Sequence, residues 1–252
     1  MRFKFNKKIE FFIKKNILPE AFLLRRRLER SIKKNDEDEI KLVKDFIKPG
    51  TDSIDVGVYR GVYSYEMSKY SKKVHSFEPN PIIFKYINKN LKKFIKNIVL
   101  HNYALSNENK SINLKVPIRD SNYSKENYEE YYQMGRATIH DKNIFQDYES
   151  FEISSKRIDE FNFDNKISFI KIDVEGHEIE VIEGAKKTIE ENKPTLLVEI
   201  EEKHSKKKVS ESIKYINSLG YNSFYYDKSN LRNTSDLDNL NLFNNFIFLS
   251  KY

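Results

Sequence analysis

The chain has 252 residues; 38% are hydrophobic and 13% are Phe or Tyr, enough for one α/β domain with additions and too much for a disordered chain. It carries 45 Lys and Arg against 38 Asp and Glu and no cysteine, which excludes disulfides, cysteine zinc sites, iron–sulfur clusters and thiol nucleophiles. The longest apolar runs, such as 21–24 and 246–249, fall far short of the about 20 residues of a spanning helix or the about 7–15 of a secretory core, so a cytoplasmic protein is expected.

Residues 1–34 hold 12 Lys and Arg against three acids, a charge of +9, which leaves −2 for the rest. Residues 6–34 read as one or two amphipathic helices broken near Asn16 to Pro19. Ile9, Phe12, Ile13 and Ile17 fall on one face beside Lys7, Lys8, Lys14 and Lys15, a pattern suited to the headgroup region of an anionic membrane at the inner surface. The same apolar face can equally pack on the body or on a second copy in a homo-oligomer. The chain thus divides into a basic helical extension, 1–38, and a main domain, 39–252. The near-neutral body gives no broad basic groove, so nucleic acid is not an expected partner.

A helical face over Glu39 to Ile47 stops at Pro49-Gly50. Beyond it, strands are predicted at 52–56, 73–77, 97–103, 167–172, 195–200, 222–226 and 245–250, and helices at 62–70, 81–95, 178–191 and 206–219. Crossovers of this length imply a doubly wound, mostly parallel sheet with helices on both faces. Two alternating runs, 111–116 and 151–156, read as a hairpin-like pair flanking a polar, Tyr-rich insertion.

Three motifs gather chemistry. Asp55-Val56-Gly57 leads through Tyr59 and Arg60 to Gly61, a strand, glycine turn and helix start. A nicotinamide fingerprint needs glycines where Tyr59 and Val62 stand, so D-x-G-x-x-x-G suits the methionine end of S-adenosylmethionine better than a pyrophosphate. Glu78, 21 residues after Gly57 in Phe77-Glu78-Pro79-Asn80-Pro81, is placed to accept ribose hydroxyls. Ile170 to Glu178 (IKIDVEGHE) is a strand ending in a carboxylate and a glycine turn. Asp55, Glu78, Asn102, Asp173 and Glu199 all fall at or just beyond predicted strand ends, the ligand-binding edge of an open parallel sheet.

These motifs, with Asn102-Tyr103-Ala104-Leu105-Ser106 and Leu196-Leu197-Val198-Glu199, resemble the FkbM family of S-adenosylmethionine-dependent methyltransferases over about residues 50–200. The resemblance implies the seven-stranded, Rossmann-like class I methyltransferase sheet with its last strand antiparallel. It also implies that Asp55, Gly57 and Gly61 hold the methionine part with Ser64 assisting, that Glu78 takes the ribose with Asn80 nearby, that Asn102, Tyr103 and Ala104 border the adenine, and that Asp173 lies beside the sulfonium and amine. Val58, Tyr59 and Arg60 replace the family's usual small residues, so Tyr59 is expected to crowd or contact the cofactor. The acceptor class that follows from the resemblance is a hydroxyl, most readily of a sugar in a glycan or glycolipid.

A hydroxyl acceptor needs a base, and the candidates are Asp173, Glu175, His177 and His204. In the insertion, Tyr131, Tyr132, Arg136 and His140 offer aromatic and basic groups to a sugar, or simply cover the core. No zinc spacing is present; Asp173 with Glu199, Glu201 or Glu202 offers oxygens to Mg²⁺, although a solvated strand end is the simpler reading. The competing functions are an N- or non-sugar O-methyltransferase and a catalytically silent nucleoside-binding scaffold.

Overall fold

A computed structural model describes residues 18–34, 37–120, 132–133, 135, 137–139, 146–203, 207–227 and 230–251. Helix α1 (Glu20–Lys34) starts directly after Pro19, which accepts from Phe22 and Leu23 through its carbonyl. Its apolar stripe, Ala21, Leu24 and Leu28, is buried. Leu24 and Leu28 pack with Ile83, Ile87 and Leu91, so this part of the extension is docked on the main body. A 3₁₀ turn (Asp38–Leu42) continues into α2 (Val43–Phe46), where one helix over 39–47 is expected from the sequence.

The main sheet then assembles from β1 (Asp52–Val56), β2 (Val74–Phe77), β3 (Ile98–His101), β7 (Ile167–Ile172), β8 (Thr195–Glu199), β9 (Tyr221–Asp227), β10 (Asn230–Asn233) and β11 (Asn245–Ser250). Their order is β10-β9-β11-β8-β7-β1-β2-β3. Strands β3, β2, β1, β7 and β8 are parallel, whereas β11 is antiparallel to both β8 and β9. All seven anticipated strands are present. An eighth, β10, pairs antiparallel with β9 at the edge; its four mostly exposed residues, Asn230, Leu231, Arg232 and Asn233, are too short and polar a run to announce a strand.

The helices that cross over are α3 (Val62–Met67), α4 (Pro81–Asn90), α5 (Glu178–Glu183), α6 (Lys186–Asn192) and α7 (Val209–Ser218). The helix anticipated over 178–191 is two helices. Gly184 lies so close to the Ser106 carbonyl that a Cβ there would sit 1.9 Å from its oxygen, and Asp159 restarts the chain as α6 by accepting from the Lys187 and Thr188 N–H groups. A second sheet of β4 (Ala104–Leu105), β5 (Lys110–Pro117) and β6 (Tyr148–Lys156) contains the anticipated pair, β5 antiparallel to β6. The addition is β4, which runs parallel to β6.

Strand alternation sorts the core. Ile54, Val56, Ile170, Ile172, Leu196 and Val198 face one layer with Ile179, Ile182 and Ile213, while Val74, Phe169, Leu197 and Ile247 face the other with Val43, Tyr63 and Met67. Asp55, Lys171 and Glu199 share the parity of this second face, near the strands' carboxyl ends. His75 and His101 are packed strand residues. His75 pairs with Asp52 at 3.3 Å, and His101 stacks on Phe77 at 4.4 Å.

Candidate active site

The order of the parallel strands reverses across β1, whose neighbours are β2 and β7, so the loops after these strands diverge and open a cleft. It encloses about 830 Å³, its open mouth included. Gly57, Tyr59, Glu78, Tyr103, Ala104, Asp173, Glu175, His177 and Glu199 line it, joined by apolar Phe77, Leu105, Val174 and Ile83. Leu114 of β5 and Ala137 and Ile139 beyond it complete the wall, a contribution the sequence reading missed because no chemical motif marks these residues.

The turn after β1 is shaped by backbone constraints. Gly57 has φ of 86°, and a Cβ at this position would lie 1.8 Å from the Asp173 carbonyl oxygen. Glycine is therefore demanded by the neighbouring strand, in addition to any ligand. Gly61 (φ 85°) precedes α3 and packs against Leu91. Tyr59 takes the left-handed region at φ 49°, exposed, with the Arg60 guanidinium 5.0 Å from its ring centre. Its backbone N–H donates to Glu78 Oε2 at 2.8 Å.

Glu78 is the best-defined group of the cleft. It is 5% exposed, and the Asn80 N–H holds its other oxygen at 2.9 Å. Burial raises its pKa to about 7 against the opposing effect of these two hydrogen bonds. Each oxygen retains a second acceptor position for an incoming hydroxyl. Asn80 itself caps α4, accepting from the N–H groups of Ile82 and Ile83, and Asn102 donates to the Glu78 carbonyl at 2.7 Å. Both brace the Glu78 loop instead of lining the cleft. Asp55 and Ser64 also lie beneath it: Ser64 Oγ donates to Asp55 Oδ2 at 2.5 Å and is 2.8 Å from Ser76 Oγ, while Asp55 Oδ1 is buried without a hydrogen bond. Burial raises the Asp55 pKa to about 6.

Opposite Glu78 is an acidic wall. Asp173 accepts from Lys171 Nζ at 2.6 Å. Burial, and then the hydrogen bond and charge of Asp173, push the Glu199 carboxyl well up, so that this pair holds a proton. Glu175 takes φ of 56°, and burial followed by the Asp173 charge raises it to about 7. Glu178 turns back to accept from the Gly176 N–H at 2.8 Å and fastens that loop. His177 lines the cleft with Nε2 2.9 Å from Ser106 Oγ and Nδ1 3.7 Å from Glu180. Tyr132 is a core residue, 2% exposed, whose hydroxyl donates to Glu149 at 2.6 Å, so its ring is buried and its one polar tip is paired. His204, Tyr131, Arg136 and His140 lie outside the described residues. Among the described residues, no three His, Cys, Asp or Glu side chains are grouped to hold a metal ion.

A family model described as the methyltransferase FkbM domain matches residues 55–223, well over half the chain. The chain is similar to the solved structure of methyltransferase FkbM from Methylobacillus flagellatus KT at 16% identity and a TM-score of 0.50, over 84% of this chain and 50% of that one. It therefore spans half the length of that relative and shares its fold, the class I methyltransferase sheet. Two further structures are a SAM-dependent O-methyltransferase from Thermotoga maritima (14% identity, 89% of this chain and 71% of that one, TM-score 0.44) and TrmK from M. capricolum with S-adenosyl-homocysteine (12%, 84% and 67%, TM-score 0.38). No curated protein matches the sequence significantly.

Proposed function

The chain belongs to the FkbM methyltransferase family, and from that membership we propose that it transfers a methyl group from S-adenosylmethionine to a hydroxyl of a small molecule, with a sugar of a glycan or glycolipid as the acceptor class. The observation that carries the cofactor reading is the buried Glu78 carboxylate, held by two backbone N–H groups at the cleft floor with acceptor positions to spare. The remaining donor set fits the same molecule. Phe77, Ala104, Leu105 and Val174 suit a flat purine, Glu78 suits the ribose diol, and Asp173 with Glu199 suits an ammonium. When bound, the sulfonium supplies a methyl group already activated for in-line attack.

The residues of the chain then orient the acceptor and remove its proton. Glu175 is the proposed proton acceptor. It lines the cleft, its strained backbone fixes its direction, and its pKa of about 7 keeps it near half-ionised at neutral pH. His177 is better placed as a brace, because Ser106 and Glu180 flank its two ring nitrogens.

The basic N-terminal region is proposed to bring the enzyme to an anionic membrane where a lipid-linked acceptor resides. Support comes from the outward ridge of α1, Phe22, Arg26, Arg30 and Lys33, all exposed while Leu24 and Leu28 face the body. No helix among the described residues is long and apolar enough to cross a membrane. The test of the activity is transfer of radiolabelled methyl from S-adenosylmethionine to a panel of free and lipid-linked sugars. Labelling of a sugar hydroxyl is expected. Calorimetric binding of the cofactor product without labelling of any acceptor would favour the silent scaffold, and labelling of amines alone would overturn the hydroxyl assignment.

A further inference from the structure

Lys171 lies in the middle of the polar line that runs under the cleft, and no motif logic assigned it a task. Its side chain is 4% exposed, and among the described residues it is the one Lys or Arg that is buried. Alternation along β7 puts it on the face of Asp173, two residues on, and sheet register sets it opposite Asp55 of β1. Its ammonium is 2.6 Å from Asp173 Oδ2 and 4.9 Å from the centre of the Tyr63 ring.

A buried ammonium is expensive unless paired, and removing one partner leaves an uncompensated charge. A pair serving stability alone would be closed within the core, and Asp55, 1% exposed, is available there. Lys171 instead hydrogen-bonds outward to Asp173, whose side chain is 30% exposed at the cleft wall. The groups that face Asp173 are otherwise acidic: Asp55 from β1, Glu78 past β2, Glu175 from its own loop, Glu178 at the start of α5, and Glu199 from β8 with Glu201 beyond it. Glu37 adds a further negative charge near Lys171. Lys203, the other nearby cation, pairs with Glu201. Two hydrogen-bonded carboxyls can share a single proton, and a cation on the Asp173 side leaves that proton on Glu199.

We propose that Lys171 is the positioning residue of the cleft: its buried ammonium pins the Asp173 carboxylate against the cleft wall and keeps it charged, so that Asp173 presents a fixed negative charge to the ammonium of the cofactor's methionine part. This rests on the cofactor reading given above. Asp173 touches the ligand, and Lys171 acts through it.

The experiment is calorimetric titration of S-adenosylhomocysteine and of methylthioadenosine, which lacks the amino acid end, into wild type, Lys171→Met and the double variant Asp55→Asn/Lys171→Met from about pH 5 to about pH 8. The double variant removes both buried charges together and keeps the test available if the single one does not fold. In Lys171→Met, affinity for S-adenosylhomocysteine is expected to fall about tenfold more than in wild type between the alkaline and acid ends, and in the double variant it is expected to move in the same direction. Affinity for methylthioadenosine is expected to keep the wild-type profile. Equal losses for both ligands, or an unchanged S-adenosylhomocysteine profile in a folded variant, would overturn the role of Lys171. Failure of the wild type itself to bind S-adenosylhomocysteine would overturn the cofactor reading and this inference with it.

Discussion

At the scale of single residues, the cleft is organised by acids whose burial sets their charge. Glu78 accepts two backbone N–H groups, so removing its side chain deletes the ribose acceptors and leaves those donors to water. Glu78→Ala is expected to weaken S-adenosylhomocysteine by about 1.5–3 kcal/mol for each hydrogen bond lost to the carboxylate. Calorimetry showing wild-type affinity in that variant would remove Glu78 from the ribose site. Glu175 makes a different prediction, because it must be ionised to accept a proton. With its pKa raised to about 7, the single-turnover rate is expected to climb with pH through that value and level off above it. Glu175→Gln should lose this limb and about 10²–10⁴-fold in rate. An intact limb in Glu175→Gln assigns the base elsewhere.

At the scale of elements, α1 joins two roles through its two faces. Leu24 and Leu28 are 1% and 0% exposed and hold the helix on α4, so Leu28→Ala is expected to cost about 2–5 kcal/mol of stability, measured by denaturant unfolding. The opposite ridge has no such packing duty. Phe22 is 45% exposed with the Arg26 guanidinium 5.8 Å from its ring centre. If this ridge and the basic residues before it meet anionic lipid, Arg26→Glu/Arg30→Glu should sediment less with anionic vesicles, at about 1 kcal/mol per basic residue, while unfolding at the wild-type midpoint. Sedimentation that is equal with neutral vesicles, or insensitive to salt, would remove the membrane from the account.

At the scale of the whole molecule, three buried acids and the half-buried Glu175 share one consequence for stability. Asp55 is raised to about 6, and Glu78, Glu175 and Glu178 to about 7, in each case first by burial. A carboxyl whose folded pKa exceeds its unfolded one binds its proton more tightly in the folded state. Stability is then fully present below the unfolded values, near 4, and declines as pH rises to the folded values. The ligand-free protein is therefore expected to melt at a lower temperature at about pH 8 than at about pH 5. One pKa unit corresponds to about 1.4 kcal/mol, and 1 kcal/mol shifts the midpoint of a chain this size by about 2–4 °C. Burial lowers His75 and His101 and so opposes this trend on the acid side; a midpoint that rises across the interval would mean that the carboxyl effect is the smaller one.

Much of this molecule is legible in its sequence, for a local reason. Strand alternation, glycine turns and the acids that end strands are short-range patterns, and they place all seven core strands, the cleft edge, Glu78 and Asp173. The family model over residues 55–223 rests on the same motifs. What tertiary structure decided depends on partners far along the chain. Gly57 must be glycine because the Asp173 carbonyl, more than a hundred residues later, occupies the place of its Cβ. Asn80 spends its side-chain oxygen on the start of α4, Asn102 donates to the Glu78 carbonyl, and Ser64 binds Asp55, so these polar residues support the cleft without lining it. Gly184, where helix 178–191 divides, must be glycine because the Ser106 carbonyl occupies the place of its Cβ. Lys171 reads in sequence as one of 45 Lys and Arg, and only the register of β7 against β1 and the burial of both faces turn it into the buried cation behind the cleft.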